Sequence, residues 1–543
     1  MLFRSIILIS TGLFFYSQVL CQTLGTVSYD YNSTSDGYVL YSPTGYTDSY
    51  LVDNCGRAIN HWQGALTNGN AFYLDTLGNL VKTIDDGNTQ YIDGGGSFDR
   101  IIKQAWDGTI TWNYSYGDSE SRGHHDFIPL PNGNVILLVW ERKYYSDCIS
   151  VGRDTSTMTD TVIWAETLVE IQPTGLTTGN VVWKWDIFDH LIQDFDNTKS
   201  NFGVVADHPE LMNANVLGTG NNAGLADWLH ANSIQYVEEF DQIVISLRKI
   251  SEAIVIDHST TTNEAASHAG GTYGKGGDIL YRIGNPENYD HGTSTDKLLF
   301  RQHDCVIFPS GGNYYMSVFN NGNDRPTQYS SVDLIQLPMN PDGSYQYTTG
   351  TAYAPSSYAY SYTTPTPTDF FANRTSGAQF LENGNLIVCH GPQGYFFEVD
   401  TATNTRVWEY YNPVDVNGPN QDGTDPATLQ NNVFKVRKYS PSFSGFVGKT
   451  LNPGNYVELN SLNTCNLSID DSKINSNLKI YPNPFENQIL IDGIQGKIDF
   501  EILDLSGRTV LVGTTQGKIN ASELKAGTYL LRFNNTSQIV LKY

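Results

Sequence analysis

Short apolar and polar runs that alternate, separated by turn-forming residues, recur from about Val27 to Val447. Each run has the length of one strand, and turns of the Asn-Gly-Asn kind follow, as in Pro131-Asn-Gly-Asn-Val. Many units close on a strand with a tryptophan, as in Gly179-Asn-Val-Val-Trp. Four-stranded units that repeat every several tens of residues are typical of a β-propeller. Six units fit the length best, so the sequence predicts an all-β protein with a six-bladed propeller over residues 27–447. A β-sandwich or two stacked β-domains is the alternative.

Two insertions interrupt the repeat. The first runs from Asp186 to Leu225, and its segment Phe188 to Phe195 has apolar residues at helical spacing, which predicts a helix. Because this insertion leads directly into Asp227-Trp-Leu-His230, we expect it to form a wall or lid. The second, Thr349 to Pro367, is rich in Ser, Thr, Tyr and Pro and predicts an irregular surface loop.

Both ends of the chain differ from the repeat. Residues 1–21 have a basic start at Arg4 and an apolar stretch too short to span a membrane, which predicts a secretory signal peptide and no transmembrane segment. Leu20 before Cys21 argues against lipid attachment. Residues 448–471 form a predicted linker, and residues 472–543 a small predicted β-sandwich.

Composition narrows the class of function. Gly 50 and Tyr 34 suit strands joined by frequent turns. The net charge of −25 argues against a nucleic-acid partner, because phosphate binding needs a basic face. The five cysteines after residue 21 are scattered and show no zinc pattern. The stretch Asn412 to Asp425 lacks the ligand spacing of a calcium loop and is expected to be turn-rich.

Three histidines occupy one position in three copies of a repeated hairpin. They are His125, His230 and His303. If the repeat closes into a ring, equivalent positions face one axis, and the three imidazoles meet there. Other copies have Ser376 or a residue near Ala71 at this position, so the fold itself does not require histidine. We therefore expect an active site at the axis.

Arg248 decides between two kinds of site. Three histidines suggest a metal centre, since imidazole is the commonest zinc ligand. Arg248, eighteen residues after His230 on the same hairpin, would be repelled by a metal ion, yet it would bind a sulfate, phosphate or carboxylate with two parallel hydrogen bonds. We therefore predict an anion site without a metal. Because strand side chains alternate, only one of His124 and His125 can face it, and the repeat favours His125.

Five short motifs then resemble the bacterial arylsulfate sulfotransferases, which use no nucleotide sulfate donor. They are His124-His-Asp-Phe, Asp227-Trp-Leu-His-Ala-Asn-Ser, Ser246-Leu-Arg, Gly277-Asp-Ile-Leu-Tyr-Arg-Ile-Gly-Asn-Pro and Gln302-His-Asp. They occur in the family's order between about Asp107 and Pro413. The resemblance implies a six-bladed propeller and transfer of a sulfuryl group from an aryl sulfate to a phenol by a ping-pong route, without a cofactor.

The resemblance also implies roles for individual residues. His303 matches the histidine that becomes transiently sulfated, and His125, His230 and Arg248 match the groups that hold the sulfuryl oxygens. Two departures bear on substrate range. Some members have a separate leading β-domain, whereas the roughly one hundred residues between the predicted signal peptide and His125 already carry blade-like phrases. Ile283 stands where members commonly have tryptophan.

The end of the chain resembles the type A sorting domain of the type IX secretion system. The matching phrases are Tyr481-Pro-Asn-Pro, Asp504-Leu-Ser-Gly-Arg and Gly527-Thr-Tyr. This resemblance implies export, with the secretion machinery as a partner. Two functional alternatives remain open. One is an aryl sulfate hydrolase, although no Cys/Ser-x-Pro-x-Arg phrase occurs, and the other is a non-catalytic exported propeller that binds a ligand or glycan.

Overall fold

The computed structural model describes residues 22–87, 92–218, 224–462, 465, 479–492, 497–504, 508–533 and 536–543. The predicted signal peptide lies outside these residues, as do residues 463–464 and 466–471 of the predicted linker. The chain is all-β, with 43% strand and 8% helix. It divides into two compact units, Met1–Asn463 and Thr464–Tyr543.

The strands are numbered in chain order. The first fifteen are β1 (Gly25–Tyr29), β2 (Tyr38–Tyr41), β3 (Ser49–Val52), β4 (Ala58–Trp62), β5 (Asn68–Leu74), β6 (Leu80–Ile84), β7 (Ser97–Phe98), β8 (Arg100–Gln104), β9 (Ile110–Ser115), β10 (Ser121–Pro129), β11 (Val135–Tyr144), β12 (Val162–Pro173), β13 (Gly179–Asp186), β14 (Leu191–Ile192) and β15 (Met212–Asn213). The next fifteen are β16 (Ala231–Val237), β17 (Gln242–Leu247), β18 (Glu252–Asp257), β19 (Tyr281–Ile283), β20 (His303–Ser310), β21 (Asn313–Asn320), β22 (Ser331–Gln336), β23 (Tyr360–Tyr362), β24 (Gly377–Phe380), β25 (Leu386–His390), β26 (Tyr395–Asp400), β27 (Thr405–Tyr411), β28 (Val414–Asp415), β29 (Gly418–Pro419) and β30 (Arg437–Tyr439). The described residues also include two short α-helices, α1 (Tyr145–Ser150) and α2 (Thr262–Ala265).

The first unit contains six antiparallel sheets of four or five strands. Their strand orders are β30-β2-β3-β4, β5-β6-β8-β9, β7-β10-β11-β12-β13, β16-β17-β18-β19, β20-β21-β22-β23 and β24-β25-β26-β27-β1. Strands from the two ends of the unit pair with each other, because β2 pairs with β30 and β1 with β27. Apolar residues between adjacent sheets form the buried core.

One aromatic residue on each strand that ends a repeat unit, namely β4, β9, β13, β19, β23 and β27, has a shared role. Its ring N–H or hydroxyl donates a hydrogen bond to the next sheet, near the connection that leads into that sheet's own strand of this kind. The six pairs are Trp62 to Ala105 O, Trp112 to Thr178 O, Trp185 to Gly277 O, Tyr281 to Ala354 O, Tyr360 to Asn404 Oδ1 and Trp408 to Asn54 O. The recurring tryptophan of the sequence therefore joins neighbouring sheets.

The helix predicted for Phe188 to Phe195 is wrong. A short 3-10 turn, Ile187–Asp189, follows β13, and Leu191–Ile192 then pairs in parallel with Met212–Asn213. The Asp186 carboxylate accepts the N–H of Phe188, which caps a turn rather than a longer helix. The apolar spacing that suggested a helix instead places buried residues on both sides of a short strand.

The second unit has two sheets of its own. Its strands are β31 (Lys479–Tyr481), β32 (Gln488–Asp492), β33 (Ile498–Leu503), β34 (Thr509–Thr515), β35 (Lys518–Asn520), β36 (Gly527–Phe533) and β37 (Thr536–Lys542). The sheet orders are β31-β32-β35 and β34-β33-β36-β37. An apolar cluster that includes Phe485, Ile502 and Leu531 is buried within this unit.

Candidate active site

The first strands of three successive sheets carry the candidate histidines. His125 lies in β10, His230 immediately precedes β16, and His303 begins β20, and these three strands pack beside one another. In each sheet the pairing of the first two strands shifts register close to the histidine. Such bulges bend a strand and redirect its side chains. The backbone has positive φ at His125 (52°) and His230 (54°), a conformation uncommon outside glycine.

The structure brings all four sequence-predicted residues together. The ring centroids of His125 and His230 are 4.5 Å apart. The Phe434 ring lies 6.2 Å from His125 and 6.1 Å from His303, also between centroids. Arg248 follows β17, and its backbone N–H donates to the carbonyl of His230 at 3.2 Å. The side chains of three sheets therefore meet in one place.

His303 is held in one tautomer by Asn321. Its side chain is buried, and Nδ1 lies 2.6 Å from Asn321 Oδ1. The Asn321 amide nitrogen donates to the carbonyls of Ala372 (2.7 Å) and Thr375 (3.1 Å), which fixes the orientation of the amide. Because Oδ1 can only accept, Nδ1 of His303 carries the proton. The lone pair is then on Nε2, and a lone pair is what the ring needs to act as a nucleophile.

His230 is oriented by a carboxylate. Its Nδ1 donates to Asp227 Oδ2 at 2.6 Å, and the same carboxylate oxygen lies 3.0 Å from Lys249 Nζ. Burial tends to raise the pKa of Asp227, but His230 and Lys249 outweigh this effect and hold the pKa well below its usual range. Asp227 is therefore a fixed negative charge that holds Nδ1 of His230, so that Nε2 is the ring nitrogen left to contact a substrate.

Both His124 and His125 are buried, but their rings have different neighbours. Their Nδ1 atoms are 3.1 Å apart, because the positive φ of His125 interrupts the strand. His125 is the one beside His230, whereas His124 stacks on Trp140 with centroids 3.9 Å apart. Gly96 packs against the other side of the His125 ring, where an added Cβ would meet Nε2 at 2.6 Å.

The electrostatics favour a neutral His125 and a neutral His303 beside a charged Arg248. Burial lowers the pKa of His125 and that of His303 well below the ordinary value, and the positive charge of Arg248 lowers both further. Burial also lowers the pKa of Arg248, to about 10, with Arg301 contributing. Arg248 therefore keeps its charge at neutral pH, while His303 keeps its lone pair.

A buried ion-pair cluster, which the sequence did not suggest, lies next to the histidines. Asp126 and Asp304 each follow a site histidine, and the bulges direct them away from it. Asp126 contacts Lys435 Nζ at 2.6 Å, and Asp304 accepts from Arg437 Nη1 at 2.8 Å. Tyr73 also donates to Asp126, at 2.9 Å. Two carboxylates and two cations thus balance one another below the imidazoles.

A cavity of about 570 Å³ opens beside His230 and Arg248. Trp164 is the aromatic residue that lines it, and Asp227 and Lys249 contribute to the same wall. Leu225 and Ala226, at the end of the first insertion, also line it. The insertion thus forms part of the wall, as its position before His230 predicted. Phe127, Trp228 and Phe319, the aromatic residues near the motifs, are buried in the core instead.

The histidines do not form a metal-binding group in the described part of the chain. There, one set of three His, Cys, Asp or Glu ligand atoms lies close enough to hold an ion, and it consists of His190, His268 and Asp278. Among the described residues, Cys148, Cys305 and Cys389 are free and buried.

Comparison with known proteins identifies the family. The family model described as Arylsulfotransferase (ASST) matches residues 30–421, which include all four site residues. The chain belongs to the arylsulfotransferase family. A second family model, described as Secretion system C-terminal sorting domain, matches residues 479–543. This arylsulfotransferase family member is thus exported to the cell surface or secreted. Within the described residues, no helix is long and apolar enough to cross a membrane.

Solved structures resemble the chain only distantly. A protein of unknown function from Bacteroides caccae is 11% identical, with a TM-score of 0.35, over 74% of this chain and 99% of its own. A streptogramin B lyase is 10% identical, with a TM-score of 0.33, over 74% and 86%. The periplasmic gluconolactonase PpgL of Pseudomonas aeruginosa is 11% identical, with a TM-score of 0.30, over 72% and 96%. No curated protein matches the chain.

Proposed function

We propose that this arylsulfotransferase moves a sulfuryl group from an aryl sulfate to a phenol in two steps, through a sulfated His303. The observation that carries the proposal is the convergence of His125, His230, His303 and Arg248, the second and fourth of which line an open cavity. A neutral nucleophile next to a permanent cation suits attack on an anionic sulfate ester. No cofactor enters the reaction.

The proposed frame of the site is a six-bladed propeller over residues 27–447, followed by a β-sandwich over residues 472–543. Its support is the set of six hydrogen bonds that the aromatic residues donate from one sheet to the next. Followed from Trp408, these hydrogen bonds connect all six sheets in turn and return to the sheet that contains β26. Pairing of β2 with β30 joins the ends of the chain within one sheet, a common way to hold such a ring.

In the first step, the Nε2 lone pair of His303 forms a bond to sulfur. The bond between sulfur and the aryl oxygen breaks, and the phenolate leaves with that electron pair. His230, protonated on Nε2 and paired with Asp227, gives its proton to the leaving oxygen. The sulfuryl group is then held on His303, and His230 is neutral.

In the second step, a phenol enters the vacated position. Its oxygen bonds to sulfur as the N–S bond to His303 breaks, and its proton passes to Nε2 of His230. Both histidines thereby return to their starting states. Arg248 and His125 face the non-bridging sulfuryl oxygens in both steps, and each well-placed donor of this kind contributes roughly 3 to 4 kcal/mol of transition-state stabilisation.

The test uses a chromogenic aryl sulfate with phenol as acceptor. We expect the wild-type chain to release the chromogenic phenol and form phenyl sulfate, and His303→Ala to abolish both. His61→Ala is the matched control, because its imidazole pairs with Asp48 outside the cavity. Chromogen release by His303→Ala at the wild-type rate would overturn the nucleophile. Release without phenyl sulfate would identify a hydrolase, and no release from any aryl sulfate would favour a binding protein.

A further inference from the structure

A second group of histidines lies apart from the four site residues. His190 follows the 3-10 turn at the start of the first insertion, and His268 and Asp278 lie in the loop between β18 and β19. One ligand atom from each residue falls within a set whose members are all within 4.8 Å of one another. Asp278 Oδ1 is 2.8 Å from Nδ1 of His190 and 2.8 Å from Nδ1 of His268.

The contacts of His190 direct one ring nitrogen to the backbone and the other to Asp278. Its Nε2 lies 2.8 Å from the carbonyl oxygen of Ala265, which only accepts, so Nε2 donates there. Nδ1 faces the carboxylate of Asp278. The imidazole nitrogen and the carboxylate oxygen therefore lie where both could bind one cation.

We infer that His190, His268 and Asp278 bind a divalent cation of the zinc class. Two imidazole nitrogens and one carboxylate oxygen are ligands that zinc prefers. The bond from His190 Nε2–H to the Ala265 carbonyl is the outer contact that metal-bound histidines usually make. The two 2.8 Å contacts to Asp278 need to lengthen only slightly, since ligands at about 2.1 Å from a tetrahedral zinc lie about 3.4 Å apart.

The surroundings suit a site that solvent can reach from one side. His190 is fully buried and Asp278 is 7% exposed, whereas the His268 side chain is 62% exposed. Water completes the coordination on that side. Gly277 packs directly on the His190 ring, where a Cβ would lie 2.5 Å from Nε2. The cation would therefore link the start of the first insertion to the connection between β18 and β19.

The experiment measures zinc binding to the full chain. Protein stripped with a chelator is titrated with zinc chloride by calorimetry, and with cobalt(II) to record the absorption of a tetrahedral site. We expect one zinc per chain and a higher melting temperature with zinc. His268→Ala, which removes an exposed side chain, and Asp278→Asn should each weaken binding by at least about 100-fold.

Two controls make the result specific. His208→Ala removes an exposed histidine of the same insertion that has its own carboxylate neighbour, Glu210, and should bind zinc like the wild type. His303→Ala should also bind normally, since its imidazole belongs to the other cluster. The inference is overturned if the wild type binds no zinc, if His268→Ala binds it equally well, or if binding is lost in His303→Ala instead.

Discussion

Asn321 offers a sharp test of how His303 is positioned. In Asn321→Leu the partner of His303 Nδ1 disappears, and a buried N–H is left without an acceptor at a contact that was 2.6 Å long. The ring then loses its preference for the tautomer with the lone pair on Nε2. Asn321→Asp keeps an acceptor at this place and adds a negative charge.

The magnitude follows from the cost of an unsatisfied buried donor. That cost is about 1 to 3 kcal/mol, and if it falls on the reactive tautomer, kcat/KM for the donor decreases about 5- to 150-fold. Asn321→Asp should retain more activity, because the acceptor remains. Its charge raises the pKa of His303, so the acidic limb of the kcat/KM profile should move to higher pH.

The assay is kcat/KM for a chromogenic aryl sulfate between pH 4 and about 9, with urea unfolding of each variant alongside. Both substitutions remove the donors to Ala372 and Thr375, so both lower the free energy of unfolding. Wild-type kcat/KM in Asn321→Leu would refute the positioning role. Equal decreases of kcat/KM in both variants, with an unchanged pH profile, would show that Asn321 contributes only through packing.

Three further predictions concern charge. Arg248→Met should lower kcat/KM about 100- to 1,000-fold. Arg248→Lys should retain more activity than Arg248→Met but less than the wild type, because lysine keeps the charge without the two parallel donors. Steady-state kinetics measure these values, and equal kcat/KM in the two variants would contradict the prediction. The pKa of His303 lies well below its unfolded value of 6.5, so the unfolded chain binds more protons, and the free energy of unfolding should fall as the pH drops below 6.5. Between pH 7 and about pH 5, urea unfolding should show a smaller decrease in this free energy for His303→Gln than for the wild type. Burial tends to lower the pKa of His258, yet Asp241 and Glu170 raise it to about 9. The ion pair of His258 therefore stabilises the folded chain fully below pH 6.5, and this stabilisation is lost towards pH 9. It should amount to about 1 to 2 kcal/mol of unfolding free energy after screening, since Asp241 is 40% exposed, and His258→Gln should remove it while His208→Gln does not.

Much of the fold could be predicted because the repeat is visible in local sequence. Turn phrases such as Pro131-Asn-Gly-Asn-Val mark the hairpins, and an aromatic residue marks the strand that ends each repeat unit. Both features depend on residues close together in the chain. The meeting of His125, His230 and His303 could be predicted for the same reason, because equivalent positions in packed repeats are neighbours. Arg248 could be placed through its hairpin with His230.

The details of the site depend on contacts that no local pattern encodes. The bulges with positive φ at His125 and His230 break the alternation of side chains. Asn321, just after β21, reaches His303, and Lys435, just before β30, reaches Asp126. Asp227, three residues before His230, did leave a signal, because a carboxylate at this spacing can fold back onto the imidazole.

The false helix at Phe188 to Phe195 has a different cause. Its apolar spacing fits a helix, but Leu191 and Ile192 find a pairing partner in Met212 and Asn213, some twenty residues away. A short apolar run cannot distinguish these two outcomes, because tertiary pairing decides between them.

The central claim is the covalent intermediate on His303. Wild-type chain is mixed with an aryl sulfate donor without acceptor, quenched rapidly at alkaline pH to preserve an N–S bond, and measured by intact mass and peptide mapping. The account predicts one added sulfuryl group, carried by the peptide that contains His303, and its loss when phenol is added before the quench. Turnover without any sulfated protein, or a sulfuryl group on another residue, would contradict it.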